Sequence, residues 1–172
     1  AIKPEDLPIF DIEYIFIKLR AKSVGETVEV TVTCPDDNKT KVDVKVNLDK
    51  IEVQMDAAHS NTVQLTSNIK MVMNYPKLDT VDIDATDDYE GMFKMVRNCV
   101  GQIEIDDVIQ NRIDFTDKEL DEFIDSMNTE QFKSVTSFFD TMPKVRHVIQ
   151  VINPKTKVKG EVLVEGLNSF LV

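Results

Sequence analysis

Two neighbouring stretches alternate apolar and polar residues with a strict period of two. In "ETVEVTVTC", Val28, Val30, Val32 and Cys34 interleave with Thr27, Glu29, Thr31 and Thr33. In "TKVDVKVNL", Val42, Val44 and Val46 interleave with Lys41, Asp43 and Lys45. Successive side chains of a strand point to opposite faces, so this pattern predicts two strands with one buried face each. The intervening "PDDNK" is turn chemistry, and the whole reads as an antiparallel hairpin. A chain that contains it must supply apolar cover for that face.

The preceding segment has the other period. "FDIEYIFIKLRAKSVGE", Phe10 to Glu26, predicts a helix over about 9–23, closed by Gly25. Wound at about 100° per residue, Phe10, Tyr14, Ile17 and Ala21 share one side. Ile12, Phe16 and Leu19 share the opposite side. Asp11, Lys18 and Lys22 line one polar seam between them, and Glu13 and Arg20 the other. A surface helix normally shows a single apolar stripe. Two stripes mean a helix deep in a core or one clamped between two bodies.

Further along, "KIEVQ", "NTVQLTS" and "IKMVMNYP" read as short strands. Helical spacing returns in "DATDDYEGMFKMVRNCV", with Thr86 or Asp87 as N-cap. "DFTDKELDEFIDSM" carries a capping box at Thr116 and Glu119. A third helix opens at Asn128 or Thr129 and stops at Met142-Pro143. "KVRHVIQVIN" and "KVKGEVLVEG" then form a second hairpin around "PKT", followed by the apolar "LNSFLV". The two hairpins share one plan, a weak echo, and their strands are expected in one sheet or in two neighbouring ones. The order defines an α+β fold: an antiparallel sheet built from hairpins with a segregated block of helices. Four stretches result: 1–26, a leading segment and the two-faced helix; 27–76, the antiparallel β region; 77–143, the helical block; and 144–172, the C-terminal hairpin and tail. They form one compact domain or two intimately packed subdomains.

Charge and motifs narrow the function. The net charge of −11 and the absence of a Lys/Arg cluster argue against nucleic acid. No apolar run reaches the roughly 20 residues of a membrane span, and "AIKPEDLP" has no signal-peptide core. Cys34 and Cys99 are isolated and read as free thiols of a reducing compartment. A zinc ribbon would place C-x-x-C at both hairpin turns, but these read "CPDD" and "NPKT". His59 reads as a surface histidine and His147 as a strand-face one. There is no P-loop, no G-x-G-x-x-G and no nucleophile elbow. No catalytic, cofactor or metal residue is expected. An alternative of another class is a divalent-metal hydrolase using the acids at 82–88 and 104–107. The bland reading of the first cluster is a helix N-terminus. The remaining lead is apolar material that either meets partners or is simply core: Ile12, Phe16 and Leu19 on the helix, Phe138 and Phe139 in "SFFDTMP", and Phe170 and Leu171 in the tail.

"LPIFDIEYIFIKLRAKSVGE", Leu7 to Glu26, resembles the signature of the T4-like phage baseplate protein family, hub-associated proteins of contractile tails. Weaker agreement follows in order: Cys34-Pro35, "VNLDKIEV" from Val46, "MNYP" from Met73, "FFDTMP" from Phe138 and "VEGLNSF" from Val164. The resemblance spans nearly the whole chain. It implies a non-enzymatic role in building the baseplate hub, in structure or as a transient assembly chaperone. The implied partners are other baseplate hub or tail proteins. The implied locations are the host cytoplasm during assembly and the tail baseplate. It also implies a segment upstream of Leu7 longer than the one present. Family members can carry a fuller cysteine pattern at the ribbon-like turns, and this sequence departs from that. A cellular adaptor resembling the family by chance is the remaining alternative, and the length of the first motif argues against it.

Overall fold

The period-two stretches form strands and the period-3.6 stretches form helices in the computed structural model, which describes residues 1–81 and 88–170. The elements are α1 (Ile9–Val24), β1 (Thr27–Thr33), β2 (Lys41–Asn47), β3 (Glu52–Gln54), β4 (Thr62–Gln64), β5 (Ile69–Met73), α2 (Tyr89–Cys99), β6 (Val100–Ile105), β7 (Val108–Asn111), α3 (Asp117–Asp125), α4 (Thr129–Thr141), β8 (Lys144–Ile152) and β9 (Lys159–Glu165). All strand pairs between them are antiparallel, so the fold is α+β.

The chain divides into two compact units. The first comprises Ala1–Ile9 and Met55–Met142; the second comprises Phe10–Gln54 and Pro143–Val172. The 27–76 stretch therefore supplies strands to both.

In the second unit, β1 and β2 pair from Thr27↔Asn47 to Thr33↔Lys41. Strands β3, β8 and β9 form a separate sheet. Of the two expected arrangements, one sheet or two, the two hairpins thus take the second. Val28, Val30 and Val32 of one hairpin and Val145, Ile149 and Val151 of the other bury into one core. Each hairpin has a single apolar face, and burying both faces against each other removes more surface from water than edge pairing would. Ile17 and Ala21 of α1 and Phe170 complete that core.

In the first unit, β4-β5-β6-β7 form a four-stranded meander. Helices α2, α3 and α4 supply the apolar cover: Val96, Leu120, Ile124, Val135 and Phe138 bury with Met71, Met73 and Ile103. Each of these helices starts on a side-chain cap. Asp88 accepts from the Gly91 amide, Thr116 from Glu119 and Asn128 from Gln131. The N-cap of α2 is thus Asp88, one or two residues beyond the predicted Thr86 or Asp87. The helical block is also interrupted, because β6 and β7 lie between α2 and α3. Their two-residue turn is Asp106-Asp107, both at positive φ, 50° and 64°. Asp tolerates that conformation better than most residues, so the turn forms without glycine.

Candidate interaction surface

Helix α1 follows Pro8 and contains neither Gly nor Pro across its 16 residues. The next residue, Gly25, takes φ +131°, a value that L side chains rarely adopt. The inner face of α1 is fixed to the second unit. Phe10, Ile17 and Ala21 are buried, and Tyr14 packs against the same core. Lys18 Nζ donates to the carbonyl oxygens of Leu48 at 3.3 Å and Asp49 at 2.7 Å. It also stands 5.2 Å from the Tyr14 ring centroid, a cation–π distance. Glu13 accepts from the Leu167 amide at 3.4 Å. Burial raises the Glu13 carboxyl above its ordinary value, and that amide only partly offsets the effect.

The outer face is open. Phe16 is 47% exposed, Leu19 59% and the neighbouring Ile15 46%, while Ile12 is half-buried. Phe16, Leu19, Arg20, Ser23 and Val24 line a shallow hollow of about 380 Å³. The Ser23 hydroxyl donates to the Leu19 carbonyl at 2.8 Å, which satisfies the hydroxyl within the helix. Leaving one large apolar side chain in water forgoes about 1.5–3 kcal/mol relative to burying it. Ile15, Phe16 and Leu19 thus leave apolar surface in water on one side of the helix.

The other expected contact residues fall elsewhere. Phe138 and Phe139 are buried in the core of the first unit, and Phe170 is fully buried in that of the second. These three therefore sit where the core alternative puts them, and the reading that one of Phe138 and Phe139 leaves the core is corrected: both are buried because sheet and helices cover adjacent sides of α4. Leu171 lies outside the described residues. Sequence spacing missed Ile15 and Val24, exposed beside the predicted stripe; the same helical wheel contains the signal for Ile15.

The two hairpin turns do meet. Buried Asn153 donates through Nδ2 to Asp36 Oδ1 at 3.0 Å and to Asp37 Oδ2 at 3.1 Å. Its Oδ1 accepts from the Lys155 amide at 2.9 Å. The Thr156 hydroxyl donates to Asp36 at 2.5 Å. Asp37 accepts from the Thr40 hydroxyl and from the Lys39 and Thr40 amides. The turns are therefore joined by a carboxylate–amide knot at the place where a ribbon would carry metal ligands. Hydrogen bonds from Thr156 and Asn153 lower the Asp36 carboxyl, and those from Thr40 and Lys39 hold Asp37 well below the usual carboxylate range. Carboxyls depressed in the folded state contribute stability that is complete above their unfolded values and is lost as pH falls through the folded ones. The second unit is accordingly expected to lose stability below about pH 4. The acid slope should flatten in Asp36→Asn/Asp37→Asn, as followed by circular dichroism in urea at stepped pH. Asn153→Ala is expected to cost about 1–3 kcal/mol at neutral pH, since it strips partners from buried and turn groups alike.

Cys34 and Cys99 are free and buried. Burial pushes the Cys99 thiol up to about 12. It raises Cys34 as well, with Asp36 and Asp37 adding to the effect. Neither should react with a disulfide reagent in the native protein, and both should react after unfolding; rapid native labelling of either would contradict the burial.

His59 is not a loose surface residue. Its Nδ1 lies 2.9 Å from the Thr141 hydroxyl and its Nε2 3.0 Å from the Tyr75 hydroxyl. The ring stacks on Tyr75 and tilts against Phe138. Of the acidic clusters, 82–87 lies outside the described residues and Asp88 caps α2. Glu104 pairs with Lys70 at 2.9 Å, and Asp106 accepts from the Asn68 amide group at 2.9 Å. Among the described residues, no three His, Cys, Asp or Glu side chains gather to hold a metal ion. No described helix is long and apolar enough to cross a membrane.

The class that fold and surface define is an α+β protein with antiparallel sheets and an apolar helical face turned to solvent. The chain belongs to the T4 bacteriophage base plate protein family, whose model matches residues 1–172. No curated protein and no solved structure matches it significantly. Family membership indicates a structural role in the phage baseplate and contacts with other phage tail or baseplate proteins.

Proposed function

We propose that this chain is a non-enzymatic baseplate hub protein that serves assembly or structure of the contractile tail through protein contacts, with the outer face of α1 as its docking surface. The observation that carries this reading is the exposure of Phe16 and Leu19 on a helix whose opposite face is fixed in a core. Family membership supports the setting. The surface is apolar at its centre and charged at its rim, the usual anatomy of an interface.

The test is complementation of a phage lacking this protein with Leu19→Asp or Phe16→Asp. Both positions are exposed, so the variants should fold. Finished tails should fall at least tenfold. Wild-type yields from both variants would overturn the assignment of this face. Quantitative mass spectrometry of wild-type tails and lysate then separates two modes of action. A fixed small-integer ratio to hub subunits means a permanent component. Abundance in lysate with absence from tails means an assembly factor that leaves.

A further inference from the structure

The charges bordering the outer face of α1 are arranged with a symmetry of their own. Asp11 and Lys22 border it on one side, Glu13 and Arg20 on the other. Each side carries one acid toward the N-terminus and one base toward the C-terminus, besides Lys18, which is engaged with the Leu48 and Asp49 carbonyls of its own chain. Both pairs are centred on the same point, between Phe16 and Ile17. Asp11, Glu13, Arg20 and Lys22 form no ion pair within the chain among the described residues.

We propose that the occupant of this face is a second copy of the chain, its α1 packed antiparallel on the first about a two-fold axis near Phe16. This rests on the reading of the outer face as an interaction surface. A two-fold interface uses the same patch twice, so it must be self-complementary. In the antiparallel arrangement each flank meets the same flank of its partner, run in reverse. Asp11 then faces the second copy's Lys22, and Glu13 faces its Arg20, on both sides of the axis. Phe16 meets Phe16, and Leu19 meets Ile12 and Ile15. A parallel arrangement would instead set Asp11 beside Glu13 and Arg20 beside Lys22, like against like. The half-buried Glu13 carboxylate would gain the cation that its own chain does not give it. A single pair of 16-residue helices lies at the low end of interface sizes, about 1,200 Å² or less. Each copy also carries a net charge of −11. The association is therefore reversible and concentration-dependent.

The experiment is sedimentation equilibrium of the purified full chain over a wide concentration range. The average mass should rise from 19.6 kDa toward twice that value. Asp11→Lys sets Lys against Lys22, and Lys22→Glu sets Glu against Asp11. Each variant alone should weaken the dimer about tenfold. An equimolar mixture of the two should restore association, because their flanks then match. Restoration by mixing also shows that both variants are folded. A wild-type chain that stays monomeric overturns the proposal. So does a dimer indifferent to both variants, which would use another face. If the wild type is monomeric while Leu19→Asp still abolishes tail formation, the face serves a different protein: the dimer falls and the docking function stands.

Discussion

Phe138→Ala should lower the stability of the first unit by about 3–5 kcal/mol, the range for removing a buried phenyl ring from a packed core. Phe138 is 2% exposed. Its ring centroid lies 5.2 Å from those of His59 and Phe139 and 5.5 Å from that of Tyr75. Truncation leaves a cavity and also removes the surface on which the His59–Tyr75 pair rests. Urea unfolding followed by tyrosine fluorescence reads the loss, since Tyr75 stacks on Phe138 and two of the three tyrosines, Tyr75 and Tyr89, belong to the first unit. Phe138→Leu should retain roughly half of the lost stability, since it keeps most of the volume. A cost below about 1 kcal/mol for Phe138→Ala would show that the side chain is not core.

Phe170→Ala should cost the second unit a similar amount, about 3–5 kcal/mol. Phe170 is fully buried although it stands at the end of the described chain. It is brought there by a short turn: Gly166 takes φ +74° and its amide donates to the Val145 carbonyl at 3.0 Å. The segment Leu167–Phe170 then winds back over the core as a short 3-10 helix. Phe170 shares that core with Ile17 and Ala21 of α1. The variant should therefore loosen the seat of α1 and weaken whatever α1 contacts, through the shared core. Circular dichroism in urea checks the stability. A stable Phe170→Ala variant that fails to assemble would reverse the assignment and make the ring a contact residue.

These two residues show where sequence reading succeeds and where it stops. The hairpin of β1 and β2 was legible because alternation states directly which face is buried, and Val28, Val30 and Val32 are the buried residues. The starts of α3 and α4 were legible because capping is local: Thr116 with Glu119, and Asn128 with Gln131, sit within one turn. The hairpin of β6 and β7 was not, because its turn is Asp-Asp and the helix α2 runs directly into it at Val100. The outer residues of α1 were legible as a second stripe, since helical geometry sets which residues share a side; their exposure was not, because the same pattern also fits a helix deep in a core. Phe138 and Phe170 were not, because burial of an aromatic depends on what distant segments cover it. The meeting of Asp36 with Asn153 likewise needs tertiary structure; only the matching plan of the two turns hinted at it.

The path of the chain through its two units has a consequence for synthesis. Strand β3 ends at Gln54, and its partner in the ladder is Lys144. The whole of Met55–Met142 is translated between them. At about 5–20 residues per second, β3 and the apolar faces of β1 and β2 wait on the order of ten seconds for the strand that covers them. The intervening unit has all its later strands and helices in hand before that strand emerges. Once it folds, it draws Gln54 and Lys144 toward each other and shortens the loop that must close. The later-made unit is thus the one that completes first, and it sets the clock for the earlier one.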